Sequence, residues 1–292
     1  MLCRGIRARN DGSNLMLVAG SDQAFSRRKY SSVRKAWADA ALAIGGWRVW
    51  ATMAGNDIAQ RYRRSVIGPF WITISTAIFV GALGWLYAGL MHQSIHDYLP
   101  FVAVGYVVWG LLSAFLLEAG QCFVAADGYL KQVNLSKIGI VLRMLLRNFI
   151  IFLHNTVVIV AVMLLFHVVP GRNAGLAALG LLLDLWFGLA LALPLAMVCT
   201  RFRDLNQMIG SLVSVLFFIT PVFWNPHTAS KALVMVGMWN PFSALIAVVR
   251  DPLLGTPIAL RDWQMAAGCD LGASLIAMLL FVRFRARIMY WL

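Results

Sequence analysis

Charge is scarce in this chain, and acidic charge is scarcest. Of its 292 residues only 13% are charged, and the 12 acids are outnumbered by 25 bases. Soluble domains carry about a quarter charged residues, so a water-facing globule is excluded as the default reading. The 61% hydrophobic content makes a lipid bilayer the natural solvent. Cysteine is also sparse. Cys3, Cys122, Cys199 and Cys269 stand far apart without paired spacing, which excludes a disulfide framework and a spaced zinc site. Three of them fall in apolar stretches, where cysteine packs as a small hydrophobe.

Catalytic signatures are missing too. No lysine directly follows a glycine, so the phosphate-cradling Gly-x-x-x-x-Gly-Lys loop cannot form. There is no His-Glu-x-x-His pair and no Gly-x-Ser-x-Gly elbow. "HQSIHD" sets His92 and His96 four apart beside Asp97, a spacing that could share a metal on a helix and that polar loop sequence explains as well. No nucleotide, metal or other cofactor is expected on this chain.

What is present is a series of long apolar runs. Six stretches, at 70–91, 99–121, 149–169, 176–199, 208–224 and 264–282, approach the ~20 residues that a hydrocarbon core demands of a helix. None alternates with the period of two of a barrel strand. The expected fold is therefore an all-α integral membrane protein with six transmembrane helices. The net charge of +13 would suit nucleic acid, yet no polar domain remains to carry it once the runs are removed, so no nucleic-acid partner is expected. The bases instead crowd one set of connections. Arg48, Arg61, Arg63 and Arg64 precede the first span, with "RYRRSVIGPFW" as the membrane boundary. Lys131, Lys137, Arg143 and Arg147 lie between spans two and three, Arg201 and Arg203 between four and five, and Arg283, Arg285 and Arg287 follow the sixth. The other side has only Arg172, Lys231, Arg250 and Arg261. By the positive-inside rule both termini are cytoplasmic.

Residues 1–35 read as a mobile basic cytoplasmic tail, and "NLMLVAG" within them is too short for a cleaved signal. From 36 to 64, Trp37, Ala40, Ile44, Trp47, Ala51, Ala54 and Ile58 recur at three- and four-residue steps. This is one face of an amphipathic helix lying on the inner leaflet or packed on protein. Gly45 and Gly46 are placed to bend it, and Asp57 and Arg61 are spaced to pair. Residues 36–292 form the expected transmembrane domain.

Between spans five and six, two apolar pieces at 228–239 and 242–254 are too short to cross and fit a re-entrant pair. Asn225–Pro226 and Asn240–Pro241 precede them, as N-cap and first-turn residues would. Glu118, Asp184 and Asp270 fall within spans, where carboxylates are costly. They leave a proton-coupled carrier open as the alternative, beside structural or interfacial roles. A membrane enzyme would need converging titratable groups, and acids this sparse do not suggest them.

Five segments in order resemble the membrane permeases of ABC-type polysaccharide exporters, which move O-antigen, capsule and teichoic-acid chains. They are "DIAQRYRRSVIGPFWITIS", "DGYLKQVNLSKIGIVLRMLLRNFIIFLHN", "RFRDLNQMIGSLVSVLFFITPVFWNP", "NPFSALIAVVRDPLLG" and "FRARIMYWL". The resemblance implies a homodimer in the bacterial inner membrane, joined to two copies of a separate ATPase that binds ATP and magnesium, and a polysaccharide or lipid-linked glycan substrate. It also implies that Asp127, Gly128, Tyr129, Lys131, Gln132 and Lys137 couple to the ATPase, together with the amphipathic helix. Family members often carry proline where Ser136 stands. Asn225, Pro226, Asn240, Pro241 and Arg250 resemble the outer gate helices. A hydrophilic polymer must be shielded from lipid, and amphipathic rings can hold sugars by their apolar faces. Tyr87, Tyr106, Trp109, Phe217, Phe218 and Trp224 are the candidate path aromatics.

Overall fold

The computed structural model describes residues 32–63, 68, 70–90, 92–133, 135–226 and 228–292; the calls on residues 1–31 lie outside them. All regular structure among the described residues is helical. Helix α1 covers 32–45, so the expected tail boundary at 35 falls inside a helix. The chain turns at Gly46 into α2 (Trp47–Tyr62), as the paired glycines foretell, and Trp50 Nε1 donates to the Ala43 carbonyl at 2.8 Å across the turn. Asp39, Ala43 and Ala54 face the protein, while Trp37, Ile44 and Trp47 stay more than half exposed. The helices behind thus leave most of the aromatic stripe's surface uncovered.

The long helices are α3 (Phe70–Leu90), α4 (Ile95–Ala119), α7 (Lys137–Leu165), α8 (Leu176–Arg201) and α12 (Leu260–Phe284), the last extended by a short turn to Trp291. These five are long and apolar enough to cross a membrane. Four begin within five residues of the expected spans. The exception is α7, which starts twelve residues before the expected 149, because Ser136 caps it: the Ser136 hydroxyl accepts from Gly139 N at 3.1 Å. Two short helices, α5 (Cys122–Ala125) and α6 (Asp127–Gln132), fill the connection before it.

The fifth expected span is shortened. Helix α9 runs Leu205–Ile219, not 208–224. Proline disfavours the helical region for the residue before it; Thr220 accordingly sits at φ −83°, ψ 137°, and Pro221 follows. The two short apolar pieces form α10 (Lys231–Trp239) and α11 (Pro241–Leu254), bent by 91° at Asn240. Taken as one broken span, this pair would be a sixth crossing. Asn240 caps α11, its Oδ1 accepting from Phe242 N at 3.0 Å with Pro241 in the first turn. Asn225–Pro226 does not cap α10. Ser230 does, accepting from Leu233 N, because the helix begins only at Lys231.

Helix α4 is the axis of the core, packed against α3, α7, α8, α9 and α11, with Val102, Ala103, Val104 and Val108 inaccessible. Helix α11 is buried along most of its length. It lies hard against α8 at Gly180, where a Cβ would sit 2.4 Å from the Val248 carbonyl oxygen. It ends at Gly255, whose φ of 72° is the left-handed geometry that glycine adopts without strain.

Candidate functional site

A cavity of about 500 Å³ opens between α3, α4, α7 and α9. Helical spacing on α4 brings Tyr106, Trp109 and Ser113 to one face, and on α9 Ser214, Phe217 and Phe218 to the opposing wall. The rings are in contact. Phe79 stacks on Tyr106 with centroids 4.5 Å apart, and Phe217 lies edge-on to Tyr106 at 6.4 Å and tilted on Trp109 at 6.0 Å. Between them stand the hydroxyls of Thr76, Ser113 and Ser214 and the amide of Asn155. Aromatic faces beside hydrogen-bonding groups can hold a ligand that is itself part apolar face and part hydroxyl. Four of the six candidate path aromatics meet here. The other two do not line the cavity. Tyr87 packs on Phe223 at 5.3 Å, and Trp224 is buried with its Nε1 donating to the Phe218 carbonyl.

Behind the cavity, residues 220–224 are non-helical and wholly buried. Backbone at such depth survives only when its polar groups find partners inside the protein. Arg250 Nη1 donates to the Pro221 carbonyl at 2.7 Å, the Tyr98 hydroxyl donates to the Phe223 carbonyl, and Asn240 Nδ2 donates to Thr220 Oγ1 at 2.7 Å. Arg250 itself is 4% exposed. Its charge is met by Asp251 at 3.3 Å and by the face of Phe101, 4.0 Å from the ring centroid. Arg250 therefore latches the bent helix pair to the end of α9.

At the other end, five of the coupling candidates share α6, and Lys137 opens α7. Asp127 stands in the first turn of α6, where the dipole favours an acid, and pairs with Lys131 at 2.9 Å. Tyr129 is half exposed and lies under the Arg143 guanidinium, 5.4 Å from the ring centroid.

That arginine belongs to a network that sequence reading did not find. Asp57 of α2 pairs with Arg143 and Arg147 of α7. Arg147 and Asn148 also reach Glu118 of α4, at 2.5 and 2.6 Å, and Arg61 lies 3.6 Å from Glu118. The expected Asp57–Arg61 pair is replaced by these contacts. Glu118 thus has two basic partners, Arg61 and Arg147. A detectable signal was present: Ile138, Val141, Leu142, Leu145 and Leu146 continue the helical period ahead of residue 149, which sets Arg143 and Arg147 on one face.

A second hub lies at Asp39, 1% exposed. It accepts from Ser136 Oγ at 2.8 Å, Ile138 N at 3.1 Å and Arg285 Nη2 at 2.8 Å. Ser136 thus ties α1 to α7, and Asp39 extends the tie through Arg285 to the C-terminal end of α12. Asp184 of α8 and Asp270 of α12 are buried, with no hydrogen-bond partner for either carboxylate among the described residues. His96 meets Asp97 at 3.4 Å and lies edge-on to Phe166, with ring centroids 5.8 Å apart. No group of three His, Cys, Asp or Glu side chains suited to a metal occurs among the described residues.

Comparison with known proteins follows the same geography. The profile of the family described as "ABC-2 type transporter" matches residues 48–254, from the start of α2 to the end of α11. The O-antigen export system permease protein RfbA of Myxococcus xanthus is 23% identical over 198 residues, covering 67% of this chain and 76% of that protein.

Proposed function

Since the chain belongs to the ABC-2 type transporter family, we propose that it is the permease subunit of an ATP-driven exporter that moves a lipid-linked polysaccharide, of O-antigen, capsule or teichoic-acid type, across the bacterial inner membrane. The observation that carries the choice of substrate is the cavity lined by Tyr106, Trp109, Phe217 and Phe218 with Thr76, Ser113, Asn155 and Ser214 among them. Sugar rings present apolar C–H faces and hydroxyls together, and this wall offers a partner to each. The similarity to an O-antigen export permease supports the same class.

In this reading the chain pairs with a second copy, and each copy engages a separate ATPase subunit that holds ATP and magnesium. Both termini lie in the cytoplasm, α1 and α2 rest on the inner leaflet with their tryptophans in lipid, and α10–α11 is a re-entrant pair entering from the outer face. The α6 helix takes the push of ATPase closure. Tyr129 lies against Arg143, and Arg143 is fixed to Asp57, so a displacement of α6 is passed to α2 and α7 as a rigid-body shift. The Arg250 latch holds the outer elements at the far end of the bundle, tying α11 to α4 and to the end of α9.

The alternative, a proton-coupled carrier, rests on Asp184 and Asp270. One experiment separates the two. Sealed vesicles carrying the chain with its partner ATPase should export polymer only with ATP, and collapse of the proton gradient should leave export intact. Export by the chain alone, driven by a proton gradient, would reject the permease reading.

A further inference from the structure

We propose that an anionic phospholipid of the inner leaflet is held in the groove between α1, α8 and α12. The groove has a volume of about 290 Å³. Trp186 and Leu189 of α8 and Ala277 and Phe281 of α12 wall it, Ala36 and Trp37 of α1 close one end, and the Trp186 Nε1–Ser274 Oγ hydrogen bond of 2.9 Å spans the other. No charged side chain lines it, which suits an acyl chain.

Charge marks one end only. Each of the three elements that reach the α1 end carries a base directly beside its lining residue: Arg34 next to Val33, Lys137 before Ile138, and Arg283 after Val282. None of these three bases lies within ion-pair distance of a carboxylate among the described residues. Asp39, the acid between these elements, already accepts from Arg285, Ser136 and Ile138. The result is an apolar slot with more bases than acids around its α1 end, the complement of an acyl chain ending in a phosphate-bearing headgroup with net negative charge. In the orientation proposed above, this end faces the cytoplasmic headgroups, so the lipid would brace α1 against α8 and α12. Such a lipid is separate from the transported polymer, whose proposed path lies beyond α4.

The test is native mass spectrometry and thermal unfolding of the detergent-purified full chain, with phosphatidylglycerol or phosphatidylethanolamine of identical acyl chains added. The expected result is at least tenfold preferential retention of phosphatidylglycerol, which raises Tm, whereas phosphatidylethanolamine does not. The combined Arg34→Gln, Lys137→Gln, Arg283→Gln variant should lose that preference. Ala277→Phe, which fills the slot without touching charge, should lose retention of both lipids. Equal retention of the two lipids by the wild-type chain, no retention of either, or an unchanged preference in the charge variant overturns the proposal. So does recovery of a polyprenyl-linked glycolipid from this groove in place of phospholipid.

Discussion

The Asp57 carboxylate accepts from both Nε and Nη2 of Arg143, at 2.7 and 2.5 Å, across 86 positions of sequence. Both side chains are only 15% exposed, so the pair is a largely buried, bidentate bond between α2 and α7. Breaking one side of a buried pair strands the other charge, at about 3–5 kcal/mol; partial exposure here argues for the lower figure or less. Asp57→Ala should therefore lower Tm in detergent clearly, and Asp57→Ala with Arg143→Ala should lose less than the two single changes summed. Additive losses in that double-mutant cycle would mean that the pair is not coupled.

Arg250→Met should destabilise more than Asp57→Ala. The change keeps length and apolar volume but leaves the Pro221 carbonyl without its donor and Asp251 without its base. An unsatisfied buried group costs about 1–3 kcal/mol, which falls on the Pro221 carbonyl, and Asp251, 21% exposed, adds a smaller loss. Arg250→Lys should rescue only in part, since an ammonium lacks the planar face that lies over Phe101. Unfolding monitored by fluorescence, with export activity in parallel, gives the order Arg, Lys, Met.

Ser136→Ala removes both the α7 cap and the donor to Asp39. Loss of a Ser cap costs about 1 kcal/mol. The expected outcome is a modest drop in Tm together with faster proteolysis of α1 and of the C-terminal turn, because Asp39 holds both. Unchanged protease patterns would detach the serine from that role.

Gly180→Ala places a methyl 2.4 Å from the Val248 carbonyl oxygen and 2.7 Å from its carbon. Backbone cannot rotate aside as a side chain can, so α11 must move off α8. Overpacking of this kind costs about 1–3 kcal/mol. Gly128→Ala, where nothing lies within 4 Å of the added atom, should be near neutral and serves as the control in the same Tm series.

For the path, Trp109→Ala and Phe217→Ala should cut polymer export several-fold while ATP hydrolysis by the assembled complex is kept. Tyr87→Ala, which lies off the cavity, should do so less. If all three fall equally, the cavity is not the route.

Much of the architecture was written in the chain order of apolar runs. A helix in lipid satisfies its backbone internally, so length and apolarity alone locate α3, α4, α8 and α12 to within a few residues. The Asn240–Pro241 cap and the break at Gly46 were equally legible, because capping and turn preferences act over a few residues. Four of the six chosen aromatics meet in one cavity, since helical spacing sets them on shared faces, but spacing could not say which face turned inward.

What only the tertiary structure decided are the contacts that join distant segments. Arg143 and Asp57, Asp39 and Arg285, and Arg250 and the Pro221 carbonyl are separated by 86, 246 and 29 residues. No local pattern pairs them. Charged groups at the edge of an apolar interior are driven to whichever partner the packed helices bring within reach, because leaving them unpaired costs more than any local preference supplies. Local hydrophobic spacing fixed which stretches became helices; burial of charge, settled by packing, fixed how those helices are fastened.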